Sequence, residues 1–106
     1  MKKITEFQKL VYKETKKIPY GKVSTYAQIA KNIGNPKASR AVGNALNINP
    51  FAPVVPCHRV VRTGGKIGGF ASGEKEKIII LKKEGVLVRQ GKIVDFTKVF
   101  FKKKIK

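Results

Sequence analysis

Thr25-Tyr26-Ala27-Gln28-Ile29-Ala30-Lys31-Asn32-Ile33-Gly34-Asn35-Pro36-Lys37-Ala38-Ser39-Arg40-Ala41-Val42-Gly43-Asn44-Ala45-Leu46 carries two helical signals with a stop and a restart between them. Thr25 and Gln28 have capping-box spacing, and Ile29, Ala30 and Ile33 follow at helical intervals. Gly34 is placed to end that helix, because glycine tolerates the left-handed C-terminal conformation. Asn35-Pro36 predicts the restart, with Asn as N-cap and Pro at the first helical position, and the second helix runs to about Leu46. A three-residue break is the spacing of a helix-turn-helix.

The second helix of this pair is thin. From Ala38 to Ala45 only Arg40 and Val42 are large. A helix that reads the major groove usually carries long polar side chains. Small residues around one Arg suit close approach to a minor groove, with the Arg as a probe, or close packing in a core.

Upstream, Thr5 and Gln8 form another capping box. Ile4, Phe7, Leu10, Val11 and Glu14 keep a helical period with the apolar members on one face, and Pro19 and Gly21 end the unit. Downstream, three prolines between Asn49 and Pro56 exclude a helix and predict an extended chain. Val60–Arg62 and Lys66-Ile67 flank Thr63-Gly64-Gly65 as a small hairpin or wing. Residues 68–73 read as a flexible loop, and Glu74 to Glu84 as a helix capped by Gly85. Val86–Arg89 and Lys92–Val94 form a second hairpin around Gln90-Gly91, and 102–106 is a basic flexible tail. The expected architecture is one domain over 1–106, mainly α with small β, of winged-helix-like helix-turn-helix type.

Composition narrows the function. The 106 residues hold 24 Lys+Arg against 6 Asp+Glu, a net +18, and 42% hydrophobic residues. That is a folded domain with a strong positive field, whose usual partner is nucleic acid. A solvated Lys-rich surface of thermophile type is the alternative, but such surfaces usually carry balancing Glu. The longest apolar run, Ile78 to Leu81, cannot span a membrane, and the N-terminus lacks a signal peptide's apolar stretch. One Cys forms no internal disulfide, and one Cys with one His cannot close a structural zinc site. A reducing, cytoplasmic location without metal or cofactor is expected.

Pro56-Cys57-His58-Arg59 joins the sole cysteine to the sole histidine. Positive charge favours the reactive thiolate, and His can take the thiol proton. Adjacent residues on an extended strand face opposite ways, so direct contact needs a bend or a bridging water. A buried thiol beside a satisfied His is the bland alternative. Glu84 sits in the last turn of its helix, where the macrodipole disfavours an acid. Orienting His58 would explain it; pairing with Lys82 or Lys83 would also do so.

Pro56-Cys57-His58-Arg59-Val60-Val61 resembles the active-site signature of the O6-alkylguanine-DNA alkyltransferases, the methylated-DNA–protein-cysteine methyltransferases. Val23-Ser24-Thr25-Tyr26, Gly34 to Gly43, Asn49-Pro50 and Glu84-Gly85 are similar to further family blocks, in order, across roughly residues 5 to 90. The resemblance implies duplex-DNA binding in the minor groove by Thr25, Ala38, Ser39, Arg40, Ala41 and Gly43, with Arg40 filling the gap left by a flipped guanine. It implies that Cys57 accepts the alkyl group once and irreversibly. His58 would act as base through water, Glu84 would orient it, and Tyr26 would donate to the leaving base. Asn49 would tie the recognition segment to the active-site turn. Val60, Phe70, Ala71 and Ser72 would line the base pocket with Tyr26. No cofactor is implied, and the partner is duplex DNA bound by a monomer.

Many members carry Tyr and Ser where Phe70 and Ala71 stand, which puts any hydroxyl contribution there in doubt. Met1 leads almost directly into the first helix, so the family's N-terminal domain, and its zinc where present, is expected to be missing. The competing function is an alkyltransferase-like lesion binder, in which another residue replaces the cysteine. A winged-helix regulator with an incidental Cys is less compatible with the small face of the second helix.

Overall fold

The computed structural model describes residues 4–52, 54–68 and 73–102. The described residues are mostly helical, with two two-stranded sheets among them. Helix α1 (Glu6–Thr15) starts on a complete capping box, the Thr5 hydroxyl accepting from Gln8 N at 3.0 Å and the Gln8 side chain accepting from Thr5 N at 2.9 Å. Its buried face is rotated from the expected one. Val11, Tyr12, Glu14 and Thr15 are buried, whereas Leu10 is 49% exposed. Tyr12 takes the inward place because its hydroxyl reaches the Ala45 carbonyl at 2.8 Å, so a polar tip is satisfied inside the core.

Strand β1 (Ser24–Thr25) leads directly into α2 (Tyr26–Asn32). Thr25 caps α2 through Gln28 N at 3.0 Å, but the box is half made. The Gln28 amide donates instead to Asn32 at 2.8 Å, and Asn32 donates to the buried Glu14, which ties α2 to α1. Gly34, at φ +84, closes α2 as expected, with Asn35 N reaching back to the Ala30 carbonyl at 2.9 Å.

Asn35 therefore belongs to the closure of α2 and does not cap the next helix. An Asn35–Ala38 turn follows, and α3 (Ser39–Asn47) begins later than expected, with Ala38 as N-cap and no side-chain cap. The helix-turn-helix stands, with a longer connection. Val42, Ala45 and Leu46 form the inward face of α3.

The proline segment is turned rather than extended. The Asn49 side chain accepts from Phe51 N at 2.9 Å and donates to the Val55 carbonyl at 2.8 Å, while Val55 N bonds the Phe51 carbonyl at 3.0 Å. Proline excludes a helix there but not a turn closed by an Asn side chain.

Strand β2 (Val60–Val61) pairs in parallel with β1, Ser24 against Val60 and Thr25 against Val61. Its period of two divides the core. Val60 enters the cluster of α1, α2 and α3, and Val61 enters a second cluster with Val23, Ile67, Leu81, Val86 and Ile93.

The expected hairpin around Thr63-Gly64-Gly65 is a single turn closed by Arg62 N on the Lys66 carbonyl at 2.7 Å; its arms pair elsewhere, Val60-Val61 with β1 and Lys66 with Lys92. Helix α4 (Glu74–Lys83) and the hairpin of β3 (Val88–Arg89) and β4 (Lys92–Ile93) follow the sequence reading. A short α5 (Phe96–Val99) does not. Behind it Phe101 N bonds the Val23 carbonyl at 2.7 Å, so the chain up to there is docked onto the β1 segment. No helix among the described residues is long and apolar enough to cross a membrane.

Candidate active site

Cys57, His58 and Arg59 occupy one turn of 3₁₀ helix that starts where the proline segment ends and runs into β2. This is the bend that the adjacent Cys and His require, since a 3₁₀ turn fans successive side chains around its axis. Cys57 is 9% exposed and lines a cavity of about 650 Å³. Tyr26, Ser39, Arg40 and Gly43 line it as well, so the α3 face and the thiol share one space.

His58 points away from that space, into a buried ion cluster. Its Nε2 lies 2.8 Å from Glu84 Oε2. Arg59 grips the same carboxylate with both arms of its fork, Nε to Oε1 at 2.9 Å and Nη2 to Oε2 at 2.8 Å. Burial would raise the Glu84 carboxyl, but Arg59, His58 and the Gly21 N–H outweigh it and hold the group below its ordinary value. Burial is also the main influence on His58, and it lowers the imidazole; Glu84 opposes it, while Arg59 and Lys77 add to it. Glu84 is thus the partner of His58 and not a surface mate of Lys82 or Lys83. The carboxylate tolerates its place at the C-terminus of α4 because two cation-capable side chains face it.

Tyr26 opens α2 with its ring against Gly43 and Gly68. Burial raises its phenol, partly offset by Arg62, so it stays a hydrogen-bond donor at neutral pH. Lys77 is wholly buried, donates to the Val60 carbonyl at 2.7 Å and lies 5.8 Å from the centre of the Tyr26 ring. Desolvation pushes it down to about 8. Sequence reading missed both Lys77 and Arg59. The available signal for Lys77 is its i, i+4 spacing to the core residue Leu81. For Arg59 it is only adjacency to His58.

The other anticipated positions separate. Asn49, just past α3, holds the turn that delivers Cys57, through Val55, whose carbonyl also accepts from Cys57 N at 2.8 Å. Arg40 and Ala41 are exposed, and Ala38, Ser39 and Gly43 are partly so. Thr25 is buried and its hydroxyl is used in the cap, so its side chain faces inward rather than outward. Val60 is wholly buried, with its carbonyl engaged by Lys77. Phe70, Ala71 and Ser72 lie outside the described residues.

A helix-turn-helix whose second helix shares a cavity with the chain's only thiol defines the class by fold and site. The family model of the 6-O-methylguanine DNA methyltransferase, DNA binding domain, matches residues 6–86, and the chain belongs to that family. It is 62% identical over 81 residues to a methylated-DNA–protein-cysteine methyltransferase of Methanosarcina acetivorans, a match covering 76% of this chain and 52% of that protein. The chain spans about half the length of the curated relatives it matches. Among solved structures it is similar to Mycobacterium tuberculosis OGT in complex with DNA, at TM-score 0.74 and 46% identity over 76% of this chain and 49% of that one. It is also similar to S. pombe Atl1 in complex with damaged DNA containing O6-carboxymethylguanine, at TM-score 0.84 and 34% identity over 96% of this chain and all of that one (100%).

Proposed function

We propose that the chain is a DNA-repair protein that takes an alkyl group from O6 of guanine in duplex DNA onto Cys57, once per molecule. The carrying observation is the shared cavity: the sole Cys and the small-residue face of α3 open into the same space. Docking of that face in the minor groove brings Arg40 to the base stack, and the target guanine rotates out toward Cys57. Cys57 Sγ attacks the alkyl carbon. The S–C bond forms as the C–O6 bond breaks, and the electron pair leaves with the guanine. His58 accepts the thiol proton, with a water spanning the gap set by its orientation toward Glu84. Tyr26 donates toward the base as it gains negative charge. A thioether is a poor leaving group, so the acceptor is consumed. It acts as a monomer, with no cofactor.

A second reading is a lesion binder without transfer. The near full-length similarity to Atl1 favours it. Cys57 favours transfer, because the thiol supplies the nucleophile that a binder does not need. Cys57→Ser separates the two activities. The variant is expected to bind an O6-methylguanine duplex as wild type does and to leave the methyl group on the DNA. Demethylation by the Ser variant at the wild-type rate would overturn the proposal.

A further inference from the structure

Arg59 has no part in the chemistry above, yet all three of its guanidinium nitrogens are engaged. Its fork takes both Glu84 oxygens, its remaining Nη1 donates to the Ile18 carbonyl at 2.9 Å, and its guanidinium lies 5.8 Å from the centre of the Tyr20 ring. Tyr20 in turn donates to the Lys83 carbonyl at 2.8 Å, so the turn after α1 clasps the end of α4 around this cluster. We propose that Arg59 is a positioning residue that satisfies the charge of Glu84 and thereby keeps His58 uncharged, with Nδ1 as its acceptor nitrogen.

The argument is one of charge counting. A buried carboxylate facing only an imidazole draws a proton onto the ring, because an ion pair is less costly than a lone anion. An imidazolium cannot accept the thiol proton. With Arg59 bidentate on Glu84 the pair is already neutral, and a proton on His58 would leave a net positive charge in a site where His58 and Glu84 side chains are 6% and 7% exposed. The charged groups facing His58 are Glu84, which favours protonation, and Arg59 and Lys77, which oppose it. Glu84 only accepts, so the 2.8 Å contact puts the ring proton on Nε2 and leaves Nδ1 as the acceptor.

This inference deepens the proposed function and rests on it for its purpose, but its test does not require transfer. His58 is the only histidine, so its ring signals are assignable without a resonance map. Nitrogen-15 NMR of the wild-type chain at pH 7 is expected to show a neutral ring protonated at Nε2; an imidazolium there would overturn the proposal. In Arg59→Met the titration midpoint of His58 is expected to rise by about one pH unit. Arg59→Lys, which keeps the charge without the fork, is expected to fall between. A folded Arg59→Met whose midpoint equals that of wild type would also overturn it. A wild-type chain that shows the neutral ring but moves no methyl group contradicts the transfer proposal alone.

Discussion

At the residue scale, chemistry and burial diverge in legibility. Cys57, His58 and Glu84 stand out in the sequence because each is rare or locally misplaced. Lys77 and Arg59 do not, because Lys and Arg are ordinary in a chain of net +18, and only tertiary placement makes them unusual. Lys77 gives a sign-definite test. Its amine lies at about 8 in the folded chain against an ordinary 10.5. Between those values the unfolded chain holds the proton more tightly, so the contribution of Lys77 to stability rises with pH across the window and is lost as pH falls through 8. Urea unfolding of wild type and Lys77→Met is expected to show the difference moving toward wild type by up to about 3 kcal/mol from pH 7.5 to 10. A difference independent of pH would contradict a Lys77 amine lowered by burial.

At the scale of elements, the proposed function turns on α3. A Cβ at Gly43 would meet the Tyr26 ring at 3.7 Å, an ordinary contact, so packing against Tyr26 does not demand glycine. Glycine inside a helix costs about 1 kcal/mol relative to Ala. In the proposed function that cost is offset by close approach of DNA. Gly43→Ala is therefore expected to raise stability by about 0.5–1 kcal/mol in thermal unfolding while weakening duplex binding several-fold. Gain on both counts would return the small face to a packing role. Arg40, exposed on the same face, is expected to matter for opening the duplex. Arg40→Ala should slow repair of duplex DNA far more than transfer from free O6-benzylguanine, and equal losses would reject the inserted role. The start of α3 is not legible in the sequence because Asn35 suits two roles. It suits an N-cap, but Gly34 draws it into the closure of α2. The Thr5 box and the Gly34 and Gly85 stops were legible because their bonds are made within a few residues.

At the scale of the molecule, the fold class was legible from helix spacing, whereas the closure of the chain was not. Phe96, Val99 and Phe101 pack on the two core clusters, but between the second hairpin and the lysine-rich tail they carry no local pattern that marks an element. Their anchor is a backbone bond to Val23, which no local pattern announces. The net charge of +18 predicts salt-sensitive binding. Each phosphate neutralised contributes about −0.9 to the slope of log K against log salt, so a small domain on a handful of phosphates is expected to show roughly −4 to −6 by anisotropy. Methylated and undamaged duplexes are expected to share that slope, since the lesion adds no charge. A slope near zero would leave the charge as a surface adaptation.

The central claim is that the thiol in the cavity below α3 is an acceptor. Intact-mass spectrometry after mixing the chain with excess O6-methylguanine duplex tests it most directly. A single added methyl group per chain is expected, located on Cys57 by peptide mapping, with no further gain on longer incubation. An unchanged mass alongside tight binding of the duplex, or a methyl group on any other residue, would contradict it.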